Sequence, residues 1–323
     1  MKSRTLVTVL LSAAGAALFL GRAPAQQNAP AELHTLHVQG NVYMVVGAGG
    51  NVTVQAGDDG ILLVDSGLAA NADKLIAEVR KISKAPIRYL INTHVHADHV
   101  GGNEKVFLAG STITGGNVTG DIQDAGVGAT IIAHEAVLNR ISAATGNQAM
   151  PAKAWPADTY FTKEKKMFFN GEAVLITHVA AAHTDGDSMV YFRRSDVISA
   201  GDLYVTTSFP IIDLPRGGNI QGILEALNHM LDVSVPADKQ EGGTYIIPGH
   251  GRVADQADLV EYRDMVTIIR DRIADGVKKG LSLEQVKAAQ PTLDYDGVYS
   301  KPGGFWTADQ FIEAVYKSLS AKK

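Results

Sequence analysis

The sequence predicts a single α/β domain in which two β-sheets pack face to face with helices on the outside. Three observations carry that expectation. The chain has 323 residues, 46% hydrophobic and 20% charged, which is enough to bury a sizeable core. No stretch rich in Pro, Ser or like charge divides it, so a second domain has no boundary to use. Strands followed by helices occur twice, before and after residue ~150, which fits two layered halves placed back to back.

The first residues bear on compartment. Lys2 and Arg4 form a positive start, residues 6–20 are an apolar run with small side chains, and Ala23-Pro24-Ala25 has the small-x-small cleavage pattern. This reads as a secretory signal peptide over residues 1–25, leaving a mature domain over 26–323. The apolar run is short for a membrane anchor. The expected location is periplasmic or secreted, with no membrane contact after cleavage. Net charge is −5, and removing Lys2, Arg4 and Arg22 leaves −8. Without a basic block, a nucleic-acid surface has no electrostatic footprint. Cysteine is absent, so no thiolate can act as nucleophile or metal ligand.

Along the mature chain, residues 34–38, 42–46 and 52–55 alternate as three short strands between Gly-containing turns. A fourth strand, 61–64, ends at Asp65-Ser66-Gly67. Residues 71–84 form an amphipathic helix with Leu75, Ile76, Val79 and Ile82 on one face. Residues 87–91 are a buried strand, 129–133 another, and 134–141 a helix; the Gly- and Thr-rich stretch 110–128 reads as a surface insertion. Strands follow at 173–179, 189–192, 196–199 and 244–247, with a helix at 220–231. The C-terminal quarter is helical. Leu259, Tyr262, Val266, Ile269 and Ile273 make one apolar stripe, and Ser282 with Gln285 and Thr307 with Gln310 are capping boxes.

The chemistry gathers at Asn92-Thr93-His94-Val95-His96-Ala97-Asp98-His99, directly after a strand. Four potential ligands fall within six residues, and no regular periodicity puts them on one face, so a loop folded around an ion is expected. Imidazole and carboxylate without thiolate suit zinc first, then iron or manganese. Four ligands are too many for one open tetrahedral site and too few for two. Further candidates stand at other strand exits beside glycine: His183 before Asp185-Gly186-Asp187, Asp202 after Gly201, and His250 between Gly249 and Gly251. His34 and His37 read as surface or core-edge residues, His229 as ordinary surface, and His134 and His178 as structural ones. Tyr204 is assigned to core packing, with a hydrogen bond to a substrate carbonyl as the alternative.

Asp65, the His94/His96/Asp98/His99 motif, His183, Asp202 and His250 together resemble the five ordered motifs of the metallo-β-lactamase superfamily. The resemblance covers nearly the whole mature chain and implies an αββα sandwich with metals at one edge between the sheets. It assigns His94, His96 and His183 to a first zinc and Asp98, His99 and His250 to a second. Asp202 would bridge both, a bridging hydroxide would complete the site, and Asp65 would fix the loop carrying the first ligands. Asp98 would also act catalytically, orienting the hydroxide or accepting its proton. The clinical β-lactamases of this fold often place Cys at the fourth motif. Asp202 instead resembles the glyoxalase II-like thioesterase, lactonase and arylsulfatase-like branches.

The reading that follows is an exported enzyme with two zinc ions per chain, hydrolysing a small-molecule cyclic amide, lactone or ester. Alternatives are a mononuclear iron dioxygenase on the same fold, a thioesterase, and a metal-binding module without catalysis. The flavin-coupled diiron branch is disfavoured because it typically has Glu where His96 stands. Export is directly testable. N-terminal sequencing of the protein from its native host should begin at Gln26, whereas an intact Met1 on cytoplasmic protein would refute it.

Overall fold

The computed structural model describes residues 32–112, 126–146, 149–239, 242–301 and 303–320. The expected signal peptide and residues 113–125 of the expected insertion lie outside them. The first half of the chain builds a seven-stranded sheet. Four antiparallel strands, β1 (His34–Gln39), β2 (Val42–Val46), β3 (Val52–Gly57) and β4 (Gly60–Val64), are followed by parallel strands β5 (Ile87–Ile91), β6 (Thr130–His134) and β7 (Asp158–Tyr160). Helices α1 (Ala72–Ile82), α2 (Ala97–Val100), α3 (Asn103–Ala109) and α4 (Glu135–Ala143) lie in the connections.

The second sheet has the spatial order β12-β11-β10-β9-β8. Its strands are β8 (Glu164–Phe169), β9 (Glu172–His178), β10 (Ser188–Phe192), β11 (Val197–Gly201) and β12 (Tyr245–Pro248), all antiparallel to their neighbours except the parallel β11–β12 pair. Helices α5 (Ile220–Val233), α6 (Gln256–Lys278), α7 (Leu283–Ala288), α8 (Asp296–Tyr299) and α9 (Ala308–Ser320) complete this half.

Side-chain alternation explains the layers. In β4, Leu62 and Val64 join Met44, Ile91, Ile176, Val190 and Phe192 between the sheets, while Ile61 and Leu63 pack against Leu75 and Val79 of α1. A strand buried on both faces therefore reads as an unbroken apolar run. The outer face of the second sheet meets the stripes of α5, α6 and α9 through Ile198, Ile246, Leu227, Ile269 and Phe311. The result is the expected αββα sandwich. Both capping boxes form, with Ser282 Oγ accepting from Gln285 N and Thr307 Oγ1 from Gln310 N.

Three elements differ from the sequence reading. Strands β7 and β8 are additional, and the metal-ligand segment is not loop throughout, because α2 takes up Asp98 and His99. Strand β8 is an edge strand exposing Glu164, Lys166 and Phe168, and charges on an edge blunt further strand pairing at the expense of the apolar signal. Among the described residues no helix is long and apolar enough to cross a membrane.

The sandwich is locked at the start of β9 by the buried carboxylate of Glu172. It accepts from Gln55 Nε2 on the other sheet (2.6 Å), from Arg194 N and Ser195 N (both 2.9 Å), and from Ser195 Oγ (2.8 Å). Glu172→Ala strands these donors without their acceptor and should cost about 2–4 kcal/mol in urea unfolding. Metal content of the folded fraction should be unchanged, since His183 lies beyond the opposite end of β9. A variant as stable as the parent would show that the lock is dispensable.

Candidate metal centre

All the loops that carry candidate ligands leave strands at their C-terminal ends. Asp65 follows β4, the His94–His99 segment follows β5, His183 follows β9, Asp202 follows β11 and His250 follows β12. The parallel pairs β4–β5 and β11–β12 aim these exits to one edge of the sandwich. There the two sheets are tied by Ser188 N donating to Thr93 O (2.8 Å) and Asn51 N to Gly249 O (2.8 Å). Asn51 Nδ2 also donates to Pro248 O and Gly251 O, at 2.9 and 3.0 Å.

The structure gathers the seven predicted residues into two adjoining sets, His94, His96, His183 and Asp202, and Asp98, His99 and His250. Asp202 faces both. Its Oδ2 lies 3.5 Å from His183 Nε2 and 3.9 Å from His94 Nε2, and its Oδ1 lies 3.3 Å from His99 Nε2 and 3.5 Å from His250 Nε2. Asp98 Oδ2 stands 3.2 Å from His250 Nε2 and 3.7 Å from His99 Nε2. His94 Nε2, His99 Nε2 and Asp202 Oδ1 are buried without a hydrogen-bond partner. Such atoms are costly unless something coordinates them, and nitrogen and carboxylate donors of this kind fit a divalent ion such as zinc.

The distal ring nitrogens explain the aim. Asp65 accepts from Thr93 N (2.8 Å), Thr93 Oγ1 (2.7 Å) and His99 Nδ1 (2.7 Å). With its proton given to Asp65, the Thr93 hydroxyl accepts from His94 Nδ1 at 3.0 Å. His183 Nδ1 donates to Ile211 O (2.7 Å), and His96 Nε2 to Asp213 Oδ2 (2.8 Å). Each bond selects a tautomer and points the other nitrogen at the site. For His96 that nitrogen is Nδ1, which lies 2.9 Å from His183 Nε2. Asp65 holds its three bonds from a left-handed backbone, φ 66°, a strained position that its surroundings must enforce. At Gly249 a Cβ would sit 1.9 Å from Asp202 Oδ1, so glycine is required there.

Electrostatics favour ligation by His94, His183 and Asp202. Burial, helped by neighbouring His99 and His183, holds His94 well below the ordinary histidine value, and burial lowers His183 as well. Both are therefore neutral donors near pH 7. Burial opposes charge on Asp202, but His99, His183 and His94 outweigh it and keep the carboxyl well below the usual carboxylate range. For His99 burial is likewise outweighed, by Asp202 and Asp65, and its value is raised.

A cleft of about 940 Å³ opens onto the site beside Asp98, Asp202 and His250. Its other walls include Val205, Ile211 and Arg216, and a C-terminal stretch with Lys301, Phe305 and Trp306. Sequence reasoning missed Asp213 and this C-terminal wall. Asp213 opens a short Leu-Pro-Arg turn, and nothing local marks its contact with a histidine 117 positions away. The residues read as structural behave so. His134 Nδ1 accepts from Ala136 N and its ring stacks on His178 at 3.5 Å, and Tyr204 is buried edge-on to Tyr262. Of the surface readings, His34 and His37 are exposed, whereas His229 is half-buried with Nε2 enclosed and unpartnered.

Two sheets with helices outside and a paired His/Asp cluster at one edge define the αββα class of metal-binding hydrolases. The metallo-beta-lactamase superfamily profile matches residues 39–250, and the chain belongs to that superfamily. It is 38% identical over 61 residues to a linear primary-alkylsulfatase from Pseudomonas sp. (strain ATCC 19151), a match covering 19% of this chain and 11% of that protein. The sec-alkylsulfatase Pisa1 from Pseudomonas sp. superposes with a TM-score of 0.60 at 17% identity, over 88% of this chain and 50% of that one. A metallo-beta-lactamase from Pontibacter korlensis gives 0.53 at 16% identity, over 73% of this chain and 99% of that one. The chain thus spans half the length of that alkylsulfatase structure and about a tenth of the curated relative. At these identities the structural likenesses speak for the fold.

Removing the carboxylate behind His96 should loosen one ion selectively. In Asp213→Ala, affinity at the His94/His96/His183 set should fall about 10- to 100-fold in chelator competition, with the second set little changed. Equal affinities in parent and variant would mean that Asp213 does not orient His96.

Proposed function

We propose that this chain is an exported dinuclear zinc hydrolase that opens a small-molecule lactone, cyclic amide or ester. The observation that carries the reading is Asp202, one carboxylate whose two oxygens face separate ligand sets. His94, His96 and His183 would hold one ion, Asp98, His99 and His250 the other, and Asp202 both. When bound, a zinc pair supplies water ionised near neutral pH and polarises the bond to be cleaved. The protein's own residues do the rest. Asp98 is a third exposed and lines the cleft, so its carboxylate can orient the attacking water and take a proton from it. The apolar cleft wall lowers the local dielectric, which strengthens the charges acting on the substrate.

A second reading is hydrolysis of a sulfate ester. It is favoured by the local identity to the alkylsulfatase. Protein purified without added metal should contain about two zinc ions per chain, the number its two ligand sets suggest. A single iron with oxygen-dependent activity would favour the dioxygenase alternative. A panel of a chromogenic cephalosporin, a lactone, an aryl ester, a thioester and an alkyl sulfate separates the hydrolytic readings by product.

Asp202→Ala tests the bridge. The variant should lose the more weakly held ion, and turnover on whichever substrate is cleaved should drop roughly 10²-fold or more. Circular dichroism should stay native-like, because the packing comes from β11 rather than from this open edge. Two retained zinc ions with full turnover would remove the shared-ligand role, and the glyoxalase II- and lactonase-like placement with it.

A further inference from the structure

The cleft wall that faces the candidate metal centre is built from two stretches, residues 205–216 and a C-terminal one with Tyr299, Lys301 and residues 304–306, and the second lies outside residues 39–250 that the family profile matches. The two are joined before any substrate arrives. Trp306 Nε1 donates to Pro210 O (3.1 Å), and Phe209 N donates to Tyr299 O (3.3 Å). Gly304 N closes the turn onto Lys301 O at 2.9 Å.

Between them, these segments line the cleft with the apolar side chains of Ile211, Pro215, Phe305 and Trp306, backed by buried Val205 and Ile212. Phe305 is 87% exposed at the cleft mouth, where an aromatic ring in water is a contact surface awaiting an apolar partner. The charges are unequal in what they leave available. Arg216 Nη1 is bonded to Asp213 Oδ2 at 2.6 Å, so its charge is already matched. Of the lining carboxylates, Asp98 and Asp202 belong to the ligand sets and Asp213 is held by Arg216 and His96. Lys301 is exposed and makes no ion pair among the described residues, although it lines the same cleft.

We infer that the substrate is amphiphilic, with an apolar body that packs on Phe305 and Trp306 and an anionic group, separate from the bond cleaved, that meets Lys301. The anion is a carboxylate, sulfate or sulfonate, which share the single charge and acceptor oxygens an ammonium recognises. Lys301 is thereby the specificity-determining residue, supplied by a segment that the family core does not include. This rests on the hydrolase reading only in that the cleft is where substrate binds.

The test uses two 4-nitrophenyl esters of equal chain length, one ending in carboxylate and the other in carboxamide. The parent should prefer the carboxylate by about fivefold in kcat/KM, mostly through KM, since rim charges contribute modestly. Lys301→Met should erase that preference without slowing the carboxamide, Lys301→Arg should restore it, and Lys301→Glu should invert it. Phe305→Ala should raise KM for both esters. Both side chains are exposed, so folding is not at stake. Equal rates on the two esters in the parent, or equal losses on both in Lys301→Met, would overturn the inference.

If neither ester is cleaved, the hydrolase reading suffers but the inference is still decided by binding. Trp306 emission should then report tighter binding of 4-phenylbutyrate than of 4-phenylbutanamide, with the difference lost in Lys301→Met. No difference in the parent, or the same difference in the variant, overturns it.

Discussion

The structure depends on one constraint: buried imidazoles and carboxylates with no protein partner must all converge on one edge. His94 Nε2, His99 Nε2 and Asp202 Oδ1 are each enclosed and unsatisfied by the protein, which stabilises nothing unless cations complete the set. Holding them together takes both sheets. One set spans His94 and His96 from the first sheet and His183 and Asp202 from the second, so neither half of the chain can form the centre alone. The hydrogen bonds between Thr93 and Ser188 and between Asn51 and Gly249 sit where the two halves meet, and they fix the spacing on which ligation depends.

Behind the ligands stands a layer of groups that choose tautomers. Asp65 acts on two ligands at once, directly on His99 and through the Thr93 hydroxyl on His94. Its left-handed backbone is tolerated because three donors converge on its carboxylate. Asp213 and the Ile211 carbonyl do the same work for His96 and His183 from the loop after β11. That loop also forms cleft wall, so the orientation of two candidate ligands and the shape of the cleft are set by one segment.

The opposite end of the sandwich uses the same physics for a different purpose. Glu172 is satisfied by four protein donors, whereas Asp202 is left with its buried Oδ1 unmatched. Full satisfaction makes Glu172 a structural lock. Incomplete satisfaction makes Asp202 available to something outside the chain.

The sequence by itself determined whatever is written in short-range pattern. Short apolar runs such as 61–64 and 87–91 marked the central strands, a helical stripe marked α6, a capping box marked the start of α9, and His-x-His-x-Asp-His with strand-end His183, Asp202 and His250 marked the ligand types. Strand β8 escaped because an edge strand carries charges instead of alternation, and α2 because one turn is too short to show a period. Only the tertiary structure decided which Asp202 oxygen faces which histidines, that Asp213 stands behind His96, and that Tyr299, Lys301 and residues 304–306 wall the cleft. Those facts join positions far apart in the chain, as His96 and Asp213 are, and no local periodicity or spacing records them. They are set by how two sheets pack and how their loops meet, which depends on the whole core at once.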